Sequence, residues 1–165
     1  MIPRRRVFVF SLAVLVLVAD QLTKWWAVSA LSNGRKITLI GDLLQLRLLY
    51  NPGAAFSIGV GFTWVFTVIA GIFMVLIGIA GWRVRSPGWS LGLALLLGGA
   101  TTHLLDRLFR EPAFGRGHVV DFIDYAGFFV GNVADIAIVG GAVILGLMNL
   151  RGTTMDGEPA LTKNG

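Results

Sequence analysis

Two carboxylates brought to one point can divide acid and base work, the ionised one drawing a proton from water while its neutral partner donates one. The sequence holds nine: Asp20, Asp42, Asp106, Glu111, Asp121, Asp124, Asp135, Asp156 and Glu158. Four of them, Asp20, Asp106, Asp121 and Asp135, lie within or beside long apolar stretches, where an ionisable group is costly and usually functional. Lys24 stands one helical turn from Asp20, and Arg107 adjoins Asp106, so salt bridges that merely hold helices together account equally well for those two pairs. Asp121 and Asp135 have no cation within their own turn. Structural pairing explains these two poorly, whereas meeting at one face would suit them to acid and base chemistry.

Other nucleophiles are less well served. There is no cysteine, so thiolate chemistry, disulfides and sulfur-ligated metal are excluded. No Gly-x-Ser-x-Gly motif occurs, and the serines lack an evident base, although Ser57 with Lys24 is a conceivable dyad. The two histidines, His103 and His118, sit in separate segments without ligand spacing. We therefore expect no metal and no cofactor.

These groups must be held by helices in lipid. Of 165 residues, 55% are hydrophobic and 14% charged, a balance suited to a bilayer. Apolar stretches over residues 7–29, 62–82, 88–105 and 128–150 are each long enough to cross a hydrocarbon core of about 30 Å. The net charge of +5 comes from scattered basic residues, which form no stripe for nucleic acid. Four spans leave residues 31–61 and 106–127 on one side. Seven Lys and Arg lie on the other side in shorter segments, against six here, which favours cytoplasmic termini. Arg4 to Arg6 ahead of an apolar run resemble a signal-peptide start, but the polar run Asp20 to Lys24 and three further spans argue for a retained helix.

Counted at the helical rise, Asp20 and Asp135 each fall about 10 Å below the far face. Residues 37–40 and 43–50 flank Gly41-Asp42, and Leu44, Leu46, Leu48 and Tyr50 alternate with Gln45, Arg47 and Leu49. That pattern predicts a small hairpin or sheet with one apolar face. Glycine pairs inside spans, Gly98-Gly99 and Gly140-Gly141, fit close helix packing. Residues 151–165 show no periodicity and read as a loose tail. The fold class expected is an all-α integral membrane bundle of four helices with a small extracytoplasmic sheet, in one domain.

At these same positions the chain resembles the bacterial lipoprotein signal peptidase family, signal peptidase II. The matching segments are Asp20-Gln21-Leu22-Thr23-Lys24, Asn51-Pro52-Gly53-Ala54-Ala55-Phe56-Ser57, Gly98-Gly99-Ala100 with Asp106-Arg107, Gly117-His118-Val119-Val120-Asp121-Phe122 and Asn132-Val133-Ala134-Asp135. The resemblance implies a catalytic pair, Asp121 and Asp135, and a substrate site shaped or lined by Asp20, Lys24, Asn51, Gly53, His103, Asp106, Arg107 and Asn132. It implies an aspartic endopeptidase of the bacterial inner membrane, monomeric and in contact with lipid. Its partner would be a prolipoprotein carrying diacylglycerol on a cysteine, cut just before that cysteine. Two positions depart from the family pattern: Thr102-His103 replaces the usual Gly-Asn, and Gly131 the usual Phe. Two rivals stand beside this reading: a homologue that binds lipidated segments without cutting, and a small proton-coupled carrier using Asp20, Lys24 and Asp135 as a relay.

Overall fold

A computed structural model describes residues 4–53 and 63–157. Four helices in it are long and apolar enough to cross a membrane: α1 (Arg4–Leu31), α2 (Thr63–Arg83), α3 (Pro87–Phe109) and α4 (Val133–Leu150). A four-stranded antiparallel sheet joins them, with β1 (Ile37–Ile40), β2 (Leu44–Asn51), β3 (Val119–Tyr125) and β4 (Phe129–Gly131) in that spatial order.

The buried face of α1 reads Val9, Ala13, Val16, Asp20, Lys24, Ala27 and Leu31, a seam of three- and four-residue steps that any packed helix presents. Two charged residues sit in that seam among small and apolar ones. The other faces carry exposed Val14, Leu15, Leu22 and Trp25, as a helix bathed in hydrocarbon should. Helix α3 is the centre of the bundle and packs against the other three. Its paired glycines permit this from two sides. A β-carbon on Gly98 would lie 2.8 Å from the Ala13 carbonyl oxygen of α1, and one on Gly99 would lie 2.9 Å from the Ala134 carbonyl oxygen of α4. Backbones approach closely there because no side chain intervenes.

The expected hairpin is two strands of a larger sheet. β2 pairs with β1 on one side and β3 on the other, with Leu49 opposite Asp121 and Asn51 opposite Val119. Strand alternation then divides β3. Phe122 packs with Leu46 and Leu48 onto Ala27 and Leu31 of α1, and Asp121 points the other way.

Three boundaries differ most from the sequence reading, beside shifts of one to three residues at the ends of α1 and α2 and the start of α3. Helix α4 begins at Val133, and residues 128–132, expected as its first turn, form β4 and the helix cap. The cap decides it: the Asn132 side chain accepts from the Asp135 amide while the Asp135 side chain accepts from the Asn132 amide, a reciprocal arrangement that fixes where the helix starts. Asp135 is therefore in the first turn, and its depth cannot be counted from residue 128. Helix α3 runs on to Phe109, beyond the expected 105. Residues 151–157, read as part of a loose tail, are pinned, since the Met155 carbonyl accepts from the Arg85 and Ser86 amides at 2.9 Å each and that of Thr153 from the Trp89 indole at 2.7 Å.

Gly99→Val should wedge α3 from α4 and lower stability by about 1–3 kcal/mol, the usual cost of overpacking. Gly140→Ala, whose added β-carbon meets nothing within 4 Å, should be close to neutral. Thermal unfolding in detergent distinguishes them, and equal effects of the two would contradict the packing described.

Candidate active site

Lys24 and Asp20 are wholly buried, one turn apart on α1. The Lys24 Nζ lies 2.6 Å from Asp20 Oδ2 and 2.8 Å from Asp106 Oδ2 on α3. Each carboxylate spends its remaining capacity on the backbone of a different element. Asp20 Oδ1 accepts from the Ala134 amide at 2.9 Å, and Asp106 Oδ2 accepts from the Val120 amide at 3.3 Å. Ala134 immediately precedes Asp135, and Val120 immediately precedes Asp121. One buried ammonium thereby ties together the two backbone segments that carry the suspected acids. Thr102 donates to Asp20 at 2.7 Å, Gln21 donates to Thr102 and Asp106, and Arg110 pairs with Asp106 at 2.7 Å. The expected Asp20–Lys24 pair is present. The Asp106–Arg107 pair is not, because successive residues of a helix point about 100° apart.

Arg107 instead clamps the chain leaving β2. Its guanidinium donates to the carbonyls of Asn51, Pro52, Gly53 and Gly117 and lies over the Phe66 ring of α2 at 5.7 Å. Asn51 is turned by its own side chain, which accepts from the Gly53 amide at 3.0 Å. The same side chain donates to Asp121 Oδ2 at 3.0 Å.

Asn132 reaches both acids. Its side-chain amide donates to Asp121 Oδ1 at 2.6 Å and its backbone amide to Asp135 Oδ2 at 2.9 Å. His103 Nε2 lies 3.5 Å from Asp135 Oδ1 and 3.4 Å from Asn132 Oδ1. Asp121 is almost fully buried, whereas a quarter of the Asp135 side chain is accessible. The Asp121 carboxyl is pushed up to about 6, chiefly by burial; the charge of Asp135 adds to the rise, and the bonds from Asn51 and Asn132 oppose it. Further along β3, Asp124 behaves oppositely, held below the ordinary carboxyl range by its bond from Arg47.

Asp121, Asp135, Asn51, Gly53, His103 and Arg107 line one cavity of about 90 Å³ together with Val119 and Phe129. Six of the ten residues singled out from the sequence thus converge on it. Asp20, Lys24, Asp106 and Asn132 do not line it; they lie behind it as its support. Val119 and Phe129 were missed. Phe129 fell in a stretch read as helix, where its strand position opposite Tyr125 had no visible signal. Ser57 lies outside the described residues, and its conceivable base Lys24 is already engaged by two carboxylates. An apolar groove of about 490 Å³ continues from the cavity between α2, α3 and α4, lined by Phe66, Ile69, Phe73, Leu96 and Ile138 and sharing His103, Arg107 and Asp135.

Residues 12–151 match the family model described as signal peptidase (SPase) II. The chain belongs to the signal peptidase II family. It is 48% identical over 156 residues to the lipoprotein signal peptidase of Rhodococcus jostii (strain RHA1), covering 93% of this chain and 78% of that one. To the enzyme of the same name in Mycobacterium tuberculosis (strain ATCC 25618 / H37Rv) it is 46% identical over 154 residues, covering 93% and 76%. Among solved structures it is similar to a bacterial membrane enzyme determined by the in meso method at 2.3 Å, with a TM-score of 0.74, 25% identity and coverage of 93% and 94%. A second such structure, at 1.9 Å, gives a TM-score of 0.75 at 26% identity over 88% of this chain and 94% of that one.

Lys24→Met would leave two facing carboxylates buried without their shared cation. Removing one partner from a buried ion pair costs about 3–5 kcal/mol, so this variant should unfold well below the parent. Adding Asp20→Asn and Asp106→Asn should restore part of the loss. Thermal unfolding of the single and triple variants checks this, and a Lys24→Met protein as stable as the parent would remove the ammonium from its central place.

Proposed function

We propose that the chain is a lipoprotein signal peptidase that uses Asp121 and Asp135 as an aspartic dyad. The observation that carries this reading is the single cavity lined by both acids, with Asn132 bonded to each. In it one carboxylate, ionised, would take a proton from water as the water attacks the scissile carbonyl. The other, protonated, would stabilise the oxyanion and then help protonate the leaving amine. The raised Asp121 value supports such a division, since a group near 6 can be found in either state close to neutral pH. The substrate proposed is a prolipoprotein carrying diacylglycerol on a cysteine, cut just before it. The apolar groove that opens from the cavity suits its membrane-embedded signal segment. Nothing in the site favours a relay carrier or a binder that does not cut.

Asp121→Asn and Asp135→Asn should each lower single-turnover cleavage of a purified diacylglyceryl precursor by about 100-fold or more, and the double variant should be little worse. If either single variant keeps above about a tenth of the parent rate, the dyad is wrong. With Asp121 as the ionised member, the rate should fall as the pH drops below about 6, where Asp121 takes up its proton, approaching about tenfold per pH unit well below that value. A rate that is flat between pH 5 and 7 would contradict it.

The membrane is the bacterial cytoplasmic (inner) membrane, in this reading, with the sheet and active site toward the outer face and the termini inside, as the Lys and Arg distribution favours. The chain would work as a monomer in contact with lipid. Cysteines placed at Asn33 and Gly165 should then label oppositely with an impermeant thiol reagent on intact cells, the first reacting and the second not. Labelling of Gly165→Cys alone would reverse the topology.

A further inference from the structure

The catalytic cavity has two continuations. The apolar groove shares His103, Arg107 and Asp135 with it. A second pocket of about 260 Å³ shares Asn51 and Phe129 and is otherwise formed by Arg47, Leu49, Gly127, Phe128 and Val130. The cavity between them holds only about 90 Å³, well below the roughly 300 Å³ at which ordinary ligand pockets begin. Residues on either side of a scissile bond must extend into both continuations.

Phe129 stands where the cavity and the second pocket meet. It lies in the three-residue edge strand β4 and stacks on Tyr125 of β3, with ring centroids 6.1 Å apart at 19°. Its other edge lies over Gly131. A β-carbon there would come within 2.6 Å of Phe129 Cε1 and 2.8 Å of Asp135 Oδ2. The ring therefore occupies the space that a side chain at 131 would fill, and the absence of one is what lets it stand beside Asp135.

Resting on the proteolytic reading above, we infer that Phe129 is a specificity-determining wall of the site, and that the pocket behind it receives the polypeptide just after the lipidated cysteine. The polypeptide on the two sides of the cut differs in polarity. The signal segment is apolar and matches the groove between α2, α3 and α4, whereas the chain beyond the cysteine is polar and suits the pocket at the sheet, where Arg47 and the Asn51 side chain provide polar surface. The Phe129 ring sets how bulky the second and third residues after the scissile bond can be.

The test uses the full chain in lipid–detergent micelles and diacylglyceryl precursors that differ only at those two residues, from Gly-Ser to Trp-Trp. Parent kcat/KM should fall about tenfold or more from the smallest to the largest, a normal discrimination for an apolar wall. Phe129→Ala should flatten that ratio to within about twofold, and Phe129→Leu, which keeps an apolar side chain, should give an intermediate ratio. An unchanged ratio in both variants, with activity lowered uniformly across the set, would mean that Phe129 only supports the fold, and the proposal would fail. A parent that shows no size dependence also overturns it. A parent that cuts no lipidated precursor overturns the proteolytic reading itself and takes this inference with it.

Discussion

An ammonium group buried between two carboxylates is the constraint on which the rest of this molecule depends. Lys24, Asp20 and Asp106 are all buried, and each makes the others' burial tolerable. Because both acids also accept from backbone amides, charge neutralisation and chain positioning are one interaction. Helix α1 supplies a cation and an anion, α3 the second anion, and the amides come from the segments preceding Asp121 and Asp135. Four elements distant in sequence are thus brought to a common point by electrostatics in a low-dielectric interior, where such pairing is strong and misplacement is severely penalised.

Around that point the packing has to be close. The paired glycines of α3 let α1 and α4 approach its backbone from two sides, which brings the Asp20 carboxylate within reach of the Ala134 amide. The sheet adds the remaining coordinate. Strand alternation sends Phe122 into the apolar contact with α1 and turns Asp121 toward the cavity, while Arg107 holds the end of β2 so that Asn51 can reach Asp121.

Much of this was legible beforehand because membranes penalise charge. Acids in apolar stretches could be recognised from their positions in the sequence; Asp121 and Asp135 line the cavity, and Asp20 and Asp106 lie directly behind it. The four helices could be read from apolar length. What sequence could not supply was partnership across the chain: adjacency suggested Arg107 for Asp106, whereas helix geometry gave Asp106 to Lys24 and Arg110. The start of α4 was obscured by an apolar run continuous from Phe128. Yet Asn132 with Asp135 three residues on is a capping pattern, and read as local chemistry it marks the true boundary. β3 and β4 were harder, since two short strands at the end of an apolar stretch carry little periodicity of their own.

The cap ties the charge of Asp135 to the start of α4. Asp135 accepts the Asn132 amide as the closing element of α4, and Asn132 in turn holds Asp121. A carboxylate that takes up a proton becomes a poorer acceptor, so any proton delivered to Asp135 loosens the first turn of the helix that presents it. Ionisation of Asp135 and fraying of the helix then share one degree of freedom, so a change in the charge of one side chain is felt as slack or tension at the end of a membrane helix.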